Sequence, residues 1–347
     1  MAEIIRKAAE EMKRRFALNI GMFNNTNTTN DNTSGNNLSA EMKEYYSKYI
    51  IDLAEPELVH DRFADKYPIP QGTGKTITFH KFTPLTKALT PLTEGVTPEG
   101  QKLDVSELSA TVDQYGAYIE TSDVLQMTAV DPIIVQATQM SGSQAGRTLD
   151  TITREVLNGG TNVMYAPNGS DPINSRSALT DACVMTADVI KKAAMLLKRQ
   201  NAPTIDGSYV AIVHPDVAHD IMRDEKGWID VHKYMDATKI YDGELGKIGN
   251  VRFVESTEAK IFMGAGASSA NVYSTMVLGA HAYATTDISG GGLKHIVKPL
   301  GSAGSADPLD QRSTIGWKAM KTAERLVEQY MIRIESGASE GATAVAN

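Results

Sequence analysis

"FTPLTKALTPLTEGVTPEGQK", residues 82–102, sets Thr-Pro at Thr83, Thr90 and Thr97, three times at a seven-residue interval. A seven-residue beat is the mark of a helix, but Pro84, Pro91 and Pro98 each remove a backbone donor and clash with the preceding turn. The segment must therefore be extended or turning. Upstream, "KTITFHKF" (75–82) alternates Thr76, Thr78 and His80 against Ile77, Phe79 and Lys81, a strand with one apolar side. A partner strand is expected to return near "SATVDQYGAYIE", 109–120. The connection between them is far longer than a usual hairpin loop. Ordering about 20 residues costs about 20 to 40 kcal/mol. Offsetting that takes on the order of 800 to 1,600 Å² of apolar burial at about 25 cal/mol per Å², an area typical of a whole protein interface. The contacts must come from outside the hairpin.

Further along, "DPIIVQATQMSGSQAGRTLDTITREVLNGG" (131–160) reads as a long helix. Asp131 is its cap, Pro132 its first turn, and Asn158-Gly159-Gly160 its stop. Ile133, Ala137, Met140, Leu149, Ile152 and Val156 are its expected buried repeat. A helix over 186–200 buries Val189, Ile190, Ala193, Leu196 and Leu197, and "YVAIV" (209–213) follows as a strand. A short helix then opens at Pro215, with strands at "NVRFVE", "VYSTMVLG", "LKHIVKP" and "QYMIRIES". The mixed order predicts an α+β fold. Before the arm region, residues 2–18 form an amphipathic helix, the Asn/Thr-rich 23–37 a linker, and Ser39 to about Leu53 a second helix.

Composition excludes several functions. Apolar residues make up 41% and charged residues 22% of the 347, a folded composition, and no apolar run of 18 residues could span a membrane. Arg6, Lys7, Glu10 and Glu11 interrupt the opening segment, so no secretory signal is read and a cytoplasmic chain is expected. A net charge of -8 argues against a protein that coats a duplex. Cys183 is the only cysteine, which removes internal disulfides and cysteine-rich metal sites and leaves it a packing role.

No catalytic, cofactor-binding or metal-binding residue is assigned. "QGTGKT" (71–76) suggests a phosphate loop, but Ile69 stands where the pattern needs glycine and a strand follows where it needs a helix. His214 and His219, five residues apart, do not share a helix face, and with Asp216 and Asp220 they fit surface and capping roles. Asp220 and Asp224 fit a solvated helix face better than an acid–base pair. No Gly-x-Ser-x-Gly elbow is present. The chain is read as not an enzyme.

Three stretches carry a family likeness: "YSKYIIDLAEPELVHDRFADKYPIPQGTGKTITFHKFTPLT", "LTEGVTPEGQKLDVSELSATVDQYGAYIETSDV" and "QRSTIGWKAMKTAERLVEQYMIRIES". Together they frame residues 40–335, and their order resembles the major capsid proteins of tailed bacteriophages, with the Hong Kong 97 (Johnson) fold, closest to the N-four-like podophage branch. The resemblance implies an N-terminal arm at 39–70, an extended loop at 71–118 lying across the adjacent subunit, and a peripheral domain at 119–180 with spine helix 131–158. It further implies an axial domain at 181–292, peripheral return strands at 293–335 and a tail at 336–347, with residues 1–38 an extension outside the match. Its implied function is a structural one. Many copies form pentamers and hexamers of an icosahedral shell around packaged double-stranded DNA, with portal and scaffold or decoration proteins as partners and no membrane. The implied location is the virion, after the host cytoplasm. A tail tube or portal, a secreted adhesin or surface-layer protein, and a P-loop-like enzyme are the rival readings.

Overall fold

The computed structural model describes residues 59–83, 85–92, 94–97, 99–128, 133–223, 228–230, 244–302 and 307–341, all within one compact unit, Glu41–Asn347. The helices read at 2–18 and 39–53, the Asn/Thr linker, the Asp131–Pro132 cap and Asp224 lie outside the described residues.

In chain order come β1 (Asp65–Lys66), β2 (Thr76–Phe82), β3 (Val105–Thr111), β4 (Asp113–Ser122), α1 (Asp123–Thr128), α2 (Ile133–Asn158), β5 (Val163–Tyr165) and α3 (Ala187–Arg199). There follow β6 (Tyr209–Val213), α4 (Pro215–Arg223), β7 (Trp228–Asp230), β8 (Glu244–Ile248), β9 (Val251–Glu255) and β10 (Ile261–Phe262). The last are β11 (Val272–Leu278), β12 (Tyr283–Thr286), β13 (Lys294–Lys298), β14 (Arg312–Arg325) and β15 (Met331–Ser336).

These strands make three sheets. An eight-stranded mixed sheet runs β5-β15-β11-β6-β9-β8-β7, with β10 on β11. Its central strands β6, β11 and β15 are buried throughout; β6 reads as a continuous apolar run, whereas β11 and β15 bury Ser274, Thr275, Arg333 and Glu335 as well. One face packs under α3 and α4, where Val189, Ile190 and Leu197 meet Val217, Ile221, Tyr209 and Phe253. The helices expected at 186–200 and from Pro215 are both present.

A five-stranded sheet runs β1-β12-β14-β13, with β4 on β14. Its fourteen-residue backbone, β14, went unread as a strand because its buried positions include Lys321 and Gly316 among the apolar ones. The return strand read at 109–120 is in fact two strands. β3 pairs β2 from Val105 to Thr111, and β4 leaves at Asp113 to pair β14, because buried Ala110 and Val112 pin the chain at the crossover. The return through 293–335 likewise divides: β13 and β14 stay in this sheet, whereas β15 inserts between β5 and β11 of the other. Ile332 and Ile334 belong to the core under α3 and α4, which draws the strand there.

Between the two sheets lies α2, 26 residues and about 39 Å long. Ala137, Ala145, Leu149 and Leu157 are buried along it, but Met140 is 69% exposed, contrary to the expected repeat. Polar groups complete the buried face instead. The Asp150 carboxylate accepts the His60 N–H at 2.7 Å and meets His60 Nδ1 at 2.6 Å. Asp61 receives Thr153 Oγ1 at 2.6 Å and the Lys321 ammonium. The last turn holds no basic residue of its own, yet its free carbonyls are met by cations from both sheets. Arg325 of β14 donates to Val156 O at 2.7 Å, and Arg333 of β15 donates to Asn158 O. A Cβ at Gly159 would come within 2.6 Å of Arg325 Nη1, so this glycine makes room for that contact.

Candidate assembly surface

The segment that decided the sequence reading forms a two-stranded sheet of its own, β2 with β3, in register from Thr76–Thr111 to Phe82–Val105. Its root is fixed. Val112 N–H donates to Lys75 O at 2.8 Å, Ile69 N–H to Asp287 O at 2.7 Å, and the Tyr67 and Phe79 rings meet edge-on at 5.4 Å. The "QGTGKT" stretch is the turn entering β2: Thr73 Oγ1 donates to Pro70 O, Gly72 and Gly74 take positive φ, and a strand follows. No helix N-terminus is there to receive a phosphate.

Past Phe82 the chain leaves the core. Thr83 N–H extends the ladder by one bond to Asp104 O. Beyond it, the described residues of the connection are tied by Gln101 Nε2 to Thr86 O at 3.0 Å and by the tight Leu89-to-Lys87 turn. No helix forms among them, as the prolines require. Leu85, Leu89, Leu92, Val96 and Leu103 are all exposed, Leu89 by 82% and Leu92 by 78%. So many apolar side chains in water on one loop mark a surface made for contact. The signal was in the sequence: Leu85 and Leu92, and Leu89 and Val96, keep the same seven-residue beat as the prolines.

His214, Asp216 and Asp220 are each engaged by bonds or close contacts within the fold. Asp216 accepts the Tyr273 hydroxyl at 2.6 Å and lies 3.4 Å from His214 Nδ1, while burial holds His214 below the usual imidazole range. The same burial, with the Asp216 bond, pushes Tyr273 well above an ordinary phenol. Asp220, read from the sequence as part of a solvated helix face, is instead buried, because it accepts from the Ser339 N–H at 2.8 Å and from its hydroxyl at 2.5 Å, tying down residues after β15; His219 points to solvent. Cys183 is buried beside Ala166, Leu179 and Val272, and its Sγ also accepts the Thr180 N–H at 3.3 Å. Glu335 is fully enclosed, bound by Arg176 at 2.8 and 2.6 Å and 2.8 Å from Arg333 Nε. The Glu335 bonds hold Arg176 more basic than usual, while burial draws Arg333 down. Among the described residues no group of three or more His, Cys, Asp or Glu could hold a metal, and no helix is long and apolar enough to cross a membrane.

Solved structures share this arrangement. The capsid of Ralstonia phage GP4 is similar at 15% identity with a TM-score of 0.66, over 90% of this chain and 96% of that one. The cyanophage Pam1 capsid is similar at 14% identity with a TM-score of 0.62, over 90% and 98%. The cyanophage P-SCSP1u capsid is similar at 15% identity with a TM-score of 0.59, over 81% and 89%. The α+β fold of the Hong Kong 97 type expected for this chain is thus the fold of these capsid chains. No curated protein matches. The profile described as "Phage capsid protein" matches residues 105–324, well over half of the length. The chain therefore belongs to the phage capsid protein family.

Proposed function

We propose that the chain is the shell-building subunit of a tailed phage and works by interface formation, with no catalytic step. The observation that carries this is the exposed apolar loop at 83–104, which its own chain leaves in solvent. Laid across a second copy, the loop gains the contacts it lacks. Such head-to-tail contacts are heterologous, and those that close by rotation give rings. We assign these rings as pentamers and hexamers of an icosahedral shell around double-stranded DNA. The β2–β3 hairpin with its loop is then the extended loop, the five-stranded sheet with α2 the peripheral domain, and the eight-stranded sheet with α3 and α4 the axial domain. A portal and a scaffold or decoration protein complete the set of partners, and the subunit resides in the host cytoplasm before joining the virion.

The test is to express the full chain and a variant in which residues 85–102 are replaced by a short Asn-Gly turn, and to image both by negative-stain electron microscopy. Closed shells or rings from the parent and a folded, unassembled variant are expected. Shells from the variant, or a parent that stays monomeric at every concentration, would overturn the proposal.

A further inference from the structure

The net charge of -8 is an average over an uneven surface. α3 buries Val189, Ile190, Ala193 and Leu197 and leaves Asp188, Lys191, Lys192, Met195, Lys198 and Arg199 exposed. At 3.6 residues per turn these six fall within about a third of the helix circumference, so the outer side is one stripe. Two pairs of cations, Lys191 with Lys192 and Lys198 with Arg199, stand seven residues or about 10.5 Å apart along it. The single carboxylate of the stripe, Asp188, lies 3.6 Å from Lys191. Among the described residues no carboxylate forms an ion pair with Lys192, Lys198 or Arg199.

α4 lies on the same side of the eight-stranded sheet and extends the field. Its Arg223 side chain is 64% exposed. Arg223 and Lys192 line one cavity of about 810 Å³, so the cations of the two helices border a common cleft. Asp188 and Asp220 line it as well, but Asp220 is buried and its oxygens are held by Ser339. The other carboxylate of α4, Asp216, is held by the Tyr273 hydroxyl. The helices thus turn lysine and arginine outward and keep most of their acids engaged within the fold.

We propose that this α3–α4 face fronts packaged double-stranded DNA and touches its phosphate backbone without reading its sequence. The inference rests on the shell reading above and names the surface that meets the contents. Charge complementarity selects the partner. A duplex carries one negative charge per about 1.7 Å of its axis, so a stripe about 10.5 Å long passes about six charges wherever it lands. A protein partner would instead be centred on aromatic or arginine anchors packed in pockets. The stripe holds no aromatic residue, and its one apolar side chain, Met195, is only 49% exposed. Three unpaired cations neutralising three phosphates give a salt slope of about −2.7, or roughly a fortyfold loss of affinity between 50 and 200 mM salt. One acidic subunit therefore releases a duplex readily, and only many stripes on a shell wall hold it together.

Two measurements on the full-length chain test this. The first is fluorescence anisotropy of a random 30-base-pair duplex against salt, with thermal melting as the folding control. Lys192→Gln with Lys198→Gln and Arg199→Gln is expected to keep the melt, since the positions are exposed and glutamine is a good helix former. It is also expected to lower affinity at least tenfold at low salt and to remove most of the salt slope. If the triple variant unfolds, Lys198→Gln with Arg199→Gln is expected to keep the melt and remove about two thirds of the slope. Lys294→Gln with Lys298→Gln and Lys318→Gln, which removes the same charge from β13 and β14, is expected to leave binding unchanged. The second measurement is labelling of closed shells with an amine reagent tethered to a polymer too large to cross the wall. Lys191, Lys192 and Lys198 are expected to be labelled on dissociated subunits and spared on shells. Labelling of these lysines on closed shells, a parent that does not bind the duplex, or equal losses in the two triple variants would overturn the proposal and leave the shell reading intact. A parent that forms no shells overturns both.

Discussion

β15 and β2 are nearly equal strands, six residues and seven, with opposite surroundings. Every residue of β15 is buried, paired on one side to β11 and on the other to β5, and even its charges are enclosed. Among the described residues β2 has a single partner; it buries none of its residues fully and runs into a loop of exposed leucines. The first strand derives its stability from within the subunit. The second is held at its root, and on the assembly proposed above a neighbour supplies the rest, because an isolated hairpin is marginal in water. Substitutions should therefore divide by region, with core changes read in the melting of the monomer and loop changes read in assembly.

The largest loss of folding stability is expected from Glu335→Ala. It leaves Arg333 and Arg176 facing each other beside a buried strand, and breaking a buried pair by removing one partner costs about 3 to 5 kcal/mol. Chemical denaturation measures it. A cost below about 1 kcal/mol would mean that the arginines relax into water and that β15 is less enclosed than its geometry indicates. Next comes Leu197→Ala, in the core between α3 and the sheet, expected to cost about 2 to 5 kcal/mol through lost burial and the cavity left behind.

Those core positions were also the legible ones. Val189, Ile190, Ala193 and Leu197 repeat at helical spacing, and "YVAIV" is short and rich in β-branched residues, which favours a buried strand, so α3 and β6 could be placed from the sequence. The extended character of the loop was legible too, since proline forbids the alternative. The inner face of α2 was not: Asp150, Thr153 and Arg154 are buried with partners distant in sequence bonded to them, which no local pattern encodes. β14 was missed for a related reason. Lys321 is buried only because Asp61 and the Leu149 carbonyl receive it. The neighbourhood of Lys294 and Lys318 was equally hidden, since they meet only through the pairing of β13 with β14.

A smaller effect is expected on acid stability, at the junction after α2. The Glu328 carboxylate accepts the Thr161 N–H, and that bond, aided by Arg325, holds its pKa below the usual range against the opposing effect of partial burial. Burial would raise Glu155 as well, but Lys260 at 2.8 Å and Arg154 outweigh it and the net direction is down. For a carboxyl lowered in the folded state, the unfolded chain binds more protons. The stabilisation is thus present above the unfolded value, about 4.5, and is lost as pH falls through the folded one. Glu328→Gln should give a flatter decline of melting temperature below about pH 4.5 than the parent. An identical decline would show that the Thr161 bond is absent in solution.

The smallest effect on folding is expected from Leu92→Ser, and it separates the two regions most sharply. Leu92 is 78% exposed, so replacing it removes little burial in the single subunit, and the change in unfolding free energy should stay within about 0.5 kcal/mol. A loop that merely decorates the surface would show nothing further, or a gain in solubility. If the loop lies across a second copy, Leu92 becomes a buried anchor in the assembled state, where losing it costs on the order of 1 to 2 kcal/mol per contact. A closed shell multiplies that loss over its many equivalent contacts, so a residue silent in the monomer should shift the concentration at which shells appear. Unfolding and light scattering on the same preparation measure both sides. An unchanged melt with an unchanged assembly threshold would remove Leu92 from the interface, whereas a lowered melt would mean that the loop packs on its own subunit and that the contrast between β2 and β15 is smaller than drawn.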